Sequence, residues 1–255
     1  NWDWDHHNWY AGRKREAGAQ FRFFCWDSEH ILESVNQNEL SQNSNGNPSR
    51  IFTRLLSNSE FVVLLGDRLH RHLFNDGALT PTEAHGRWTG LRTQIETAVV
   101  AESARWGDYR RDVHSWQVGP YHLYTKNVHW LTEQTRISTS YFPQRTGVIV
   151  QQYRNAGLYP TVDAPTLSPH GGTMTTITPV TLSAPAGTIW YTLDGTDPRL
   201  VGGAVSAAAS TYASPLSLTS SATVKARARS GGSWSALTEA TFVVEGVSIN
   251  EILAR

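Results

Sequence analysis

Asp3, Asp5, His6, His7 and Asn8 crowd into the first eight residues of this chain, and Asp27 and Glu29 follow about two dozen positions on. An aspartate five residues before an asparagine, with a separate aspartate downstream, has the spacing that kinases use to hold a base and two magnesium ions. Phosphoryl transfer is therefore the chemistry these residue types suggest. The adjacent His6 and His7 suggest a second one. Together with Asp3 or Asp5 they offer nitrogen and oxygen ligands to a transition metal, as in a metal-dependent phosphoesterase.

Other reactive residues have quieter readings. Trp2, Trp4, Trp9 and Trp26 are expected to pack rather than to touch a ligand. Cys25, the single cysteine, sits in the apolar run Phe21 to Trp26 and reads as a buried structural thiol. Asp67-Arg68 and Arg105 with Asp108 read as buried or half-buried pairs that anchor helices, and Arg13-Lys14-Arg15 as a solvated turn. His70 and His72 fall in an expected helix, where i and i+2 face apart.

Charge and hydropathy narrow the function classes. The 22 basic and 22 acidic residues cancel, so no net field favours nucleic acid or an anionic membrane. No apolar run approaches the roughly 20 residues that a spanning helix needs. One thiol excludes an internal disulfide framework. The chain opens at Asn1 in mid-motif and stops in a new apolar segment, which reads as a piece of something larger.

The texture changes near residue 160. Nine of the ten His and eight of the ten Trp lie before it, and Ser, Thr, Ala, Gly and Val dominate after it. Before the change, residues 9–13 and 20–26 alternate as a hairpin with its turn near Gly18. The polar stretch 36–47 reads as a surface loop. Pro48 opens a helix; Ser57 to Glu60 end it and cap a second running to about Phe74, with Phe61, Leu64, Leu65 and Leu69 on one face and Asn75-Asp76-Gly77 closing it. Thr80-Pro81-Thr82-Glu83 predicts a capping box for a long helix to about Arg105. A further helix pair is expected between Tyr121 and Gly157, divided near Tyr141-Phe142-Pro143.

Residues 159–165 read as an extended linker, because each proline fixes its own φ and pushes its predecessor out of the helical basin. Period-two strands follow at 173–177, 179–182, 188–193, 222–229 and 240–244, which predicts a small antiparallel sandwich. Asp194-Gly195 supplies a tight turn, with Asx side chains tied back to the backbone. Trp190 and Tyr191 should face opposite ways, with one of them at most in the core. The fold class is α+β: a mainly helical part, then an all-β immunoglobulin/fibronectin-like sandwich.

The run Asn1 to Ala11, with Phe24 to Glu29, Leu65 to Arg68 and Ala101 to Asp108, resembles the C-terminal half of the spore-coat protein H (CotH) kinase-like family. Ile189 to Pro198, Tyr212 to Leu216 and Thr223 to Ala228 are similar to the chitobiase/hexosaminidase C-terminal sandwich module. Val247 to Ala254 is similar to the first strand of a bacterial lamin-tail domain. These resemblances imply a kinase-like C-lobe over 1–158, a linker over 159–166, the sandwich over 167–246 and a lamin-tail start over 247–255.

The CotH resemblance implies roles. Asp3 would accept or orient the proton of an attacking hydroxyl; Asp5 is the alternative base, and Asp3 is preferred for its offset to Asn8. Asn8 and Asp27 would ligate Mg (or Mn) ions bridging the phosphates of ATP, with Glu29 supporting them. The phosphate-positioning lysine, its acidic partner and the glycine-rich cover are not in this sequence, so the nucleotide-binding lobe is expected upstream and residues 1–255 alone are expected to be inactive. The implied parent is a secreted or cell-surface multidomain protein. A protein substrate and glycan or cell-wall contact through the sandwich are its expected partners. Nucleic acid and a membrane span are not expected. A non-catalytic adhesion or carbohydrate-associated protein is the alternative.

Overall fold

A computed structural model of the chain describes residues 4–43, 48–114, 121–175 and 178–245. In chain order the elements are β1 (Trp9–Gly12), β2 (Arg22–Cys25), α1 (Pro48–Leu55), α2 (Ser59–Leu73), α3 (Pro81–Ile95), α4 (Ala98–Trp106), α5 (Leu131–Arg136) and α6 (Phe142–Asn155). Then come β3 (Thr166–Ser168), β4 (Gly172–Thr175), β5 (Pro179–Ser183), β6 (Thr188–Thr192), β7 (Ser210–Thr211), β8 (Leu216–Ser217), β9 (Ala222–Ser230), β10 (Ser233–Trp234) and β11 (Thr238–Glu245). Helices precede a β-sandwich, so the protein is α+β. Asp3 and the lamin-tail resemblance at 247–255 lie outside the described residues.

Packing groups the chain into two units, residues 1–50 with 78–149 and residues 51–77 with 150–255. In the first, β1 and β2 form an antiparallel hairpin in which Trp9 faces Cys25 and Gly12 faces Arg22. Gly18 adopts φ 76° in its turn, as the expected hairpin requires. β2 is solvent-facing along its whole length, and Phe23, Phe24 and Trp26 are exposed. Cys25 is exposed as well, which corrects the expectation of a buried thiol: the apolar run is a strand with neither face covered.

The helices of this unit depart from the sequence reading in three places. Thr80 occupies the N-cap of α3 with Pro81 in the first turn, but its side chain makes no cap hydrogen bond, and Glu83 lies 3.8 Å from Arg87 instead of closing a capping box. The single long helix expected from Thr80 to Arg105 is two, α3 and α4, separated at Glu96 and Thr97 although both residues keep right-handed helical angles. Where a break was expected near Pro143, helical geometry persists: π-helical turns over Lys126–Trp130 and Ile137–Tyr141 flank α5 and lead into α6. The wider turn before Pro143 suits a residue that cannot donate an i→i−4 bond.

The second unit holds the sandwich. One sheet runs β4-β11-β9-β6-β7, with β10 paired to β9, and a second runs β3-β5-β8. Leu167, Val180, Leu182 and Leu216 from the smaller sheet meet Met174, Ile189, Val224, Ala226, Ala240 and Phe242 from the larger one in a single buried core. Such interdigitated inner faces are what alternating strands produce. The sheets are not wholly antiparallel, since β4 pairs with β11 in parallel, Phe242 opposite Gly172. Tyr191 packs against the core and Trp190 does not, as alternation requires.

β9 alternates too, with Val224, Ala226 and Ala228 buried on one side and Lys225, Arg227 and Arg229 on the other. On the second side, α2 packs against β11 and reaches β9 through Asp67, which binds Arg227. Asn58 caps that helix by accepting from the backbone N–H of Glu60 and Phe61. The buried residues of α2 are Gly66, His70 and Leu73, whereas Leu64 of the expected apolar face is 50% exposed. Gly66 is where the chain comes closest, since a Cβ there would lie 3.1 Å from the Pro160 ring. Residues 159–165 carry no helix or strand, and Tyr159, Ala164 and Pro165 within them are buried.

Candidate functional site

The hairpin register positions the candidate metal ligands. Trp26 N–H donates to the Asn8 carbonyl at 3.1 Å, extending the β1–β2 ladder one step past the Trp9–Cys25 pair. Asn8 therefore enters the hairpin as Asp27 leaves it. The two side chains meet: Asn8 Nδ2 donates to Asp27 Oδ2 at 3.3 Å across 19 positions of sequence. Asn8 is buried, and Asp27 adopts φ 55°, in the left-handed region that non-glycine residues seldom occupy. Strain of that kind clusters at sites where a side chain must be aimed.

Asp5 is fully buried, and its Oδ1 accepts from His6 Nδ1 and from Gln42 Nε2, each at 3.1 Å. The Gln42 bond crosses from the polar 36–43 segment. Glu29 is exposed, and its carboxyl is held below the usual carboxylate range, first by a backbone hydrogen bond at its own residue and then by one shared with Asp27. The segment after Asp27 is fixed from the helical side. Arg136 donates to the Leu32 carbonyl at 2.5 Å, Tyr141 to Ile31 at 3.3 Å and Arg145 to Val35 at 2.5 Å.

Asn8, Asp27 and Glu29 are thus brought together, Asp5 is tied to His6 and Gln42, and Asp3 is outside the described residues. Asn8 and Asp27 supply oxygen donors, the set that magnesium takes when it is held by one or two protein groups and by phosphates. In type, these residues fit such an ion. The His6 and His7 rings lie 4.4 Å apart between centroids, tilted at 54°. Among the described residues, no three His, Cys, Asp or Glu side chains gather where they could hold a metal.

A second polar constellation in the sandwich unit was not anticipated. Arg227, 1% exposed, forks onto Asp67 at 2.6 and 2.8 Å and onto Asp197 at 2.6 and 2.8 Å, and donates to the Ser235 carbonyl. Burial alone would lower its pKa; the hydrogen bonds to Asp197 and Asp67 outweigh that and raise it, so the guanidinium stays charged. Asp67 also accepts from Leu237 N–H at 2.8 Å. The expected Asp67–Arg68 pair is not what anchors α2: Asp67 reaches the sheet, and Arg68 is exposed.

The turn that bears Asp197 is the one expected. Asp194 Oδ1 accepts from Thr196 N–H and hydroxyl, Gly195 has φ 76°, and Asp197 accepts from Arg199 N–H. Arg199 then forks onto Glu60 at 2.6 and 2.7 Å. Buried His70 bonds Tyr159 Oη through Nδ1 at 2.9 Å and Thr238 Oγ1 through Nε2 at 3.1 Å. Burial presses its pKa down to about 4, with the charges of His170 and Arg227 adding to the effect, and keeps it neutral at pH 7. These are structural contacts. The only sequence hint of them was the Asx turn, because an arginine on the outer face of a strand reads as solvated until a helix covers it.

A family described as Fn3 associated matches residues 180–242, which run from β5 into β11. The match covers most of the sandwich, with β3 and β4 before its start. No curated protein matches the chain. The C-terminal part is thus a β-sandwich by its two packed sheets, similar over residues 180–242 to the Fn3 associated family. No helix among the described residues is long and apolar enough to cross a membrane.

Proposed function

We propose that residues 1–155 are the metal-binding half of a CotH-type, kinase-like phosphotransfer domain, carried with its sandwich on a secreted or cell-surface protein. The observation that carries this reading is the Asn8–Asp27 contact, made at the base of a hairpin with Asp27 in a left-handed conformation. A catalytic-loop asparagine and a downstream aspartate must converge in this manner to share the cations of a nucleotide. Magnesium, when bound, would neutralise phosphate charge. Asn8 and Asp27 would hold it, Glu29 would stand in its outer shell as an acceptor for bound water, and Asp3 or Asp5 would receive the hydroxyl proton of a protein substrate.

Burial of Asp5 favours Asp3 as the base, since a proton acceptor must reach a substrate hydroxyl. The phosphoesterase reading is weaker, because His6 and Asp5 are spent on each other. Titration of the full chain with Mn, followed by water-proton relaxation, tests the proposal. We expect saturable binding that is lost in Asp27→Gly. Absence of saturable binding, or binding indifferent to Asp27→Gly and Asn8→Ala, refutes it.

A second reading rests on the Fn3-associated match: a non-catalytic surface protein in which the sandwich spaces or binds. Retention of glycans by the full chain together with no Mn binding would favour it.

A further inference from the structure

The sandwich unit contains a cleft of about 600 Å³ between α2, the 75–77 turn and the outer face of β9 and β11. That size is ordinary for a small-ligand site. Its lining is polar and charged, with an apolar wall from Leu64, Phe74 and Leu237.

Most of its ionic groups are already committed. Asp67 and Asp197 hold Arg227, and Lys225 lies 3.3 Å from Glu239. Arg68 and Arg71 are different. They sit three apart on α2, hence as neighbours on one helix face, both exposed and with no ion pair among the described residues. His170 adds a second, independent sign. Its Nδ1 is 4.0 Å from the Asp76 carboxylate on the rim, while its Nε2 is buried without a hydrogen-bond partner among the described residues. A buried polar atom left unsatisfied is costly, and a turn of the ring toward the cleft would let a ligand satisfy it.

The two forks of Arg68 and Arg71 are suited to a carboxylate. Around them Glu239, Asp197, Thr241 and His170 offer the mixed acceptors and donors that hydroxyl groups need, and Phe74 offers a flat apolar face. A bare phosphate would use the arginines and leave the Phe74 face and the opposite wall uncontacted. We infer that this cleft binds a carboxylate-bearing saccharide, its acid group on Arg68 and Arg71 and its hydroxyls on the opposite wall.

Calorimetry of the full chain against three probes tests this: a short oligogalacturonate, a neutral oligosaccharide of equal length, and inorganic phosphate. The acidic saccharide should saturate one site, at least tenfold tighter than either other probe. Arg68→Glu with Arg71→Glu should weaken it tenfold or more, and raised salt should weaken it further. Both arginines are exposed, so the double variant should fold; His170→Gln, which leaves the helix untouched, should also weaken binding and serves as a second measurement. No saturable binding overturns the site, equal affinity for phosphate overturns the saccharide, and equal affinity for the neutral sugar overturns the acidic group. Wild-type affinity in both variants places any binding elsewhere and overturns the assignment.

Discussion

Arg227 and Asp67 are 160 residues apart in sequence, and their side chains lie 2.6 Å apart in the fold. The pair joins a helix that precedes the sandwich to the central strand of its larger sheet. Removing Asp67 leaves Arg227 with Asp197 alone, and strips the buried guanidinium of two hydrogen bonds and the Leu237 N–H of its acceptor. Breaking a buried pair from one side costs about 3–5 kcal/mol. Asp67→Ala should therefore destabilise the sandwich unit by several kcal/mol in urea unfolding, with early loss of hydrogen-exchange protection in β9. Exposed Arg68→Ala should change stability by less than about 0.5 kcal/mol. Equal effects from the two variants would refute this account of how α2 is anchored.

His70 predicts a pH dependence. Its folded pKa is depressed to about 4 from an ordinary 6.5, so between those values the unfolded chain binds the extra proton. Stability is then complete above pH 6.5 and falls as the pH drops toward 4. The full term is on the order of 3 kcal/mol. Wild-type minus His70→Gln stability, measured at intervals from pH 7.5 to 4, should show this slope, and a flat difference would exclude it.

Glu60 acts lower on the scale. Hydrogen bonds from Arg199, and then from Gly202 N–H, hold its carboxyl down to about 2, so its contribution is present above about pH 4.5 and is lost as the pH falls toward 2. Glu60→Gln should speed amide exchange at Gly202, whose N–H donates to Glu60 Oε1 at 2.9 Å. Unchanged exchange there would mean that the contact is absent in solution.

At Asp27 the backbone and the carboxylate can be separated. The residue sits at φ 55°, so Asp27→Ala should cost roughly 1 kcal/mol through the left-handed conformation, while Asp27→Gly should be close to neutral in stability. Both lose the carboxylate and should lose Mn binding alike. Thermal unfolding of the two variants checks the first half, and relaxation titration checks the second.

Cys25 should react with a thiol reagent in the native protein at a rate close to that of a small-molecule thiol, because β2 exposes it. Labelling that waits for denaturant would restore the buried reading.

Local rules settled much of the architecture. Asn58 and Pro48 start helices, Gly18 turns the hairpin, and Asp194-Gly195 turns the sandwich, since each choice depends on a residue's own φ or on a side chain bonding a nearby backbone group. The alternating strands were legible for the same reason, and so was the approach of Asn8 to Asp27 once they were placed at the two ends of a hairpin. Which face each element turns inward was not. Leu64 and Cys25 lie exposed and Arg227 lies buried, all against their residue types, because burial is set by what arrives from distant parts of the chain. Asp67 of α2 reaches Arg227 on the outer face of β9, and β2 is exposed among the described residues; neither fact is written in the period of the strand itself. Sequence alone determined most element types and the turn chemistry. Tertiary structure decided which charges are paired and which remain open to solvent, since partners 160 residues apart meet only when a helix and a sheet have packed.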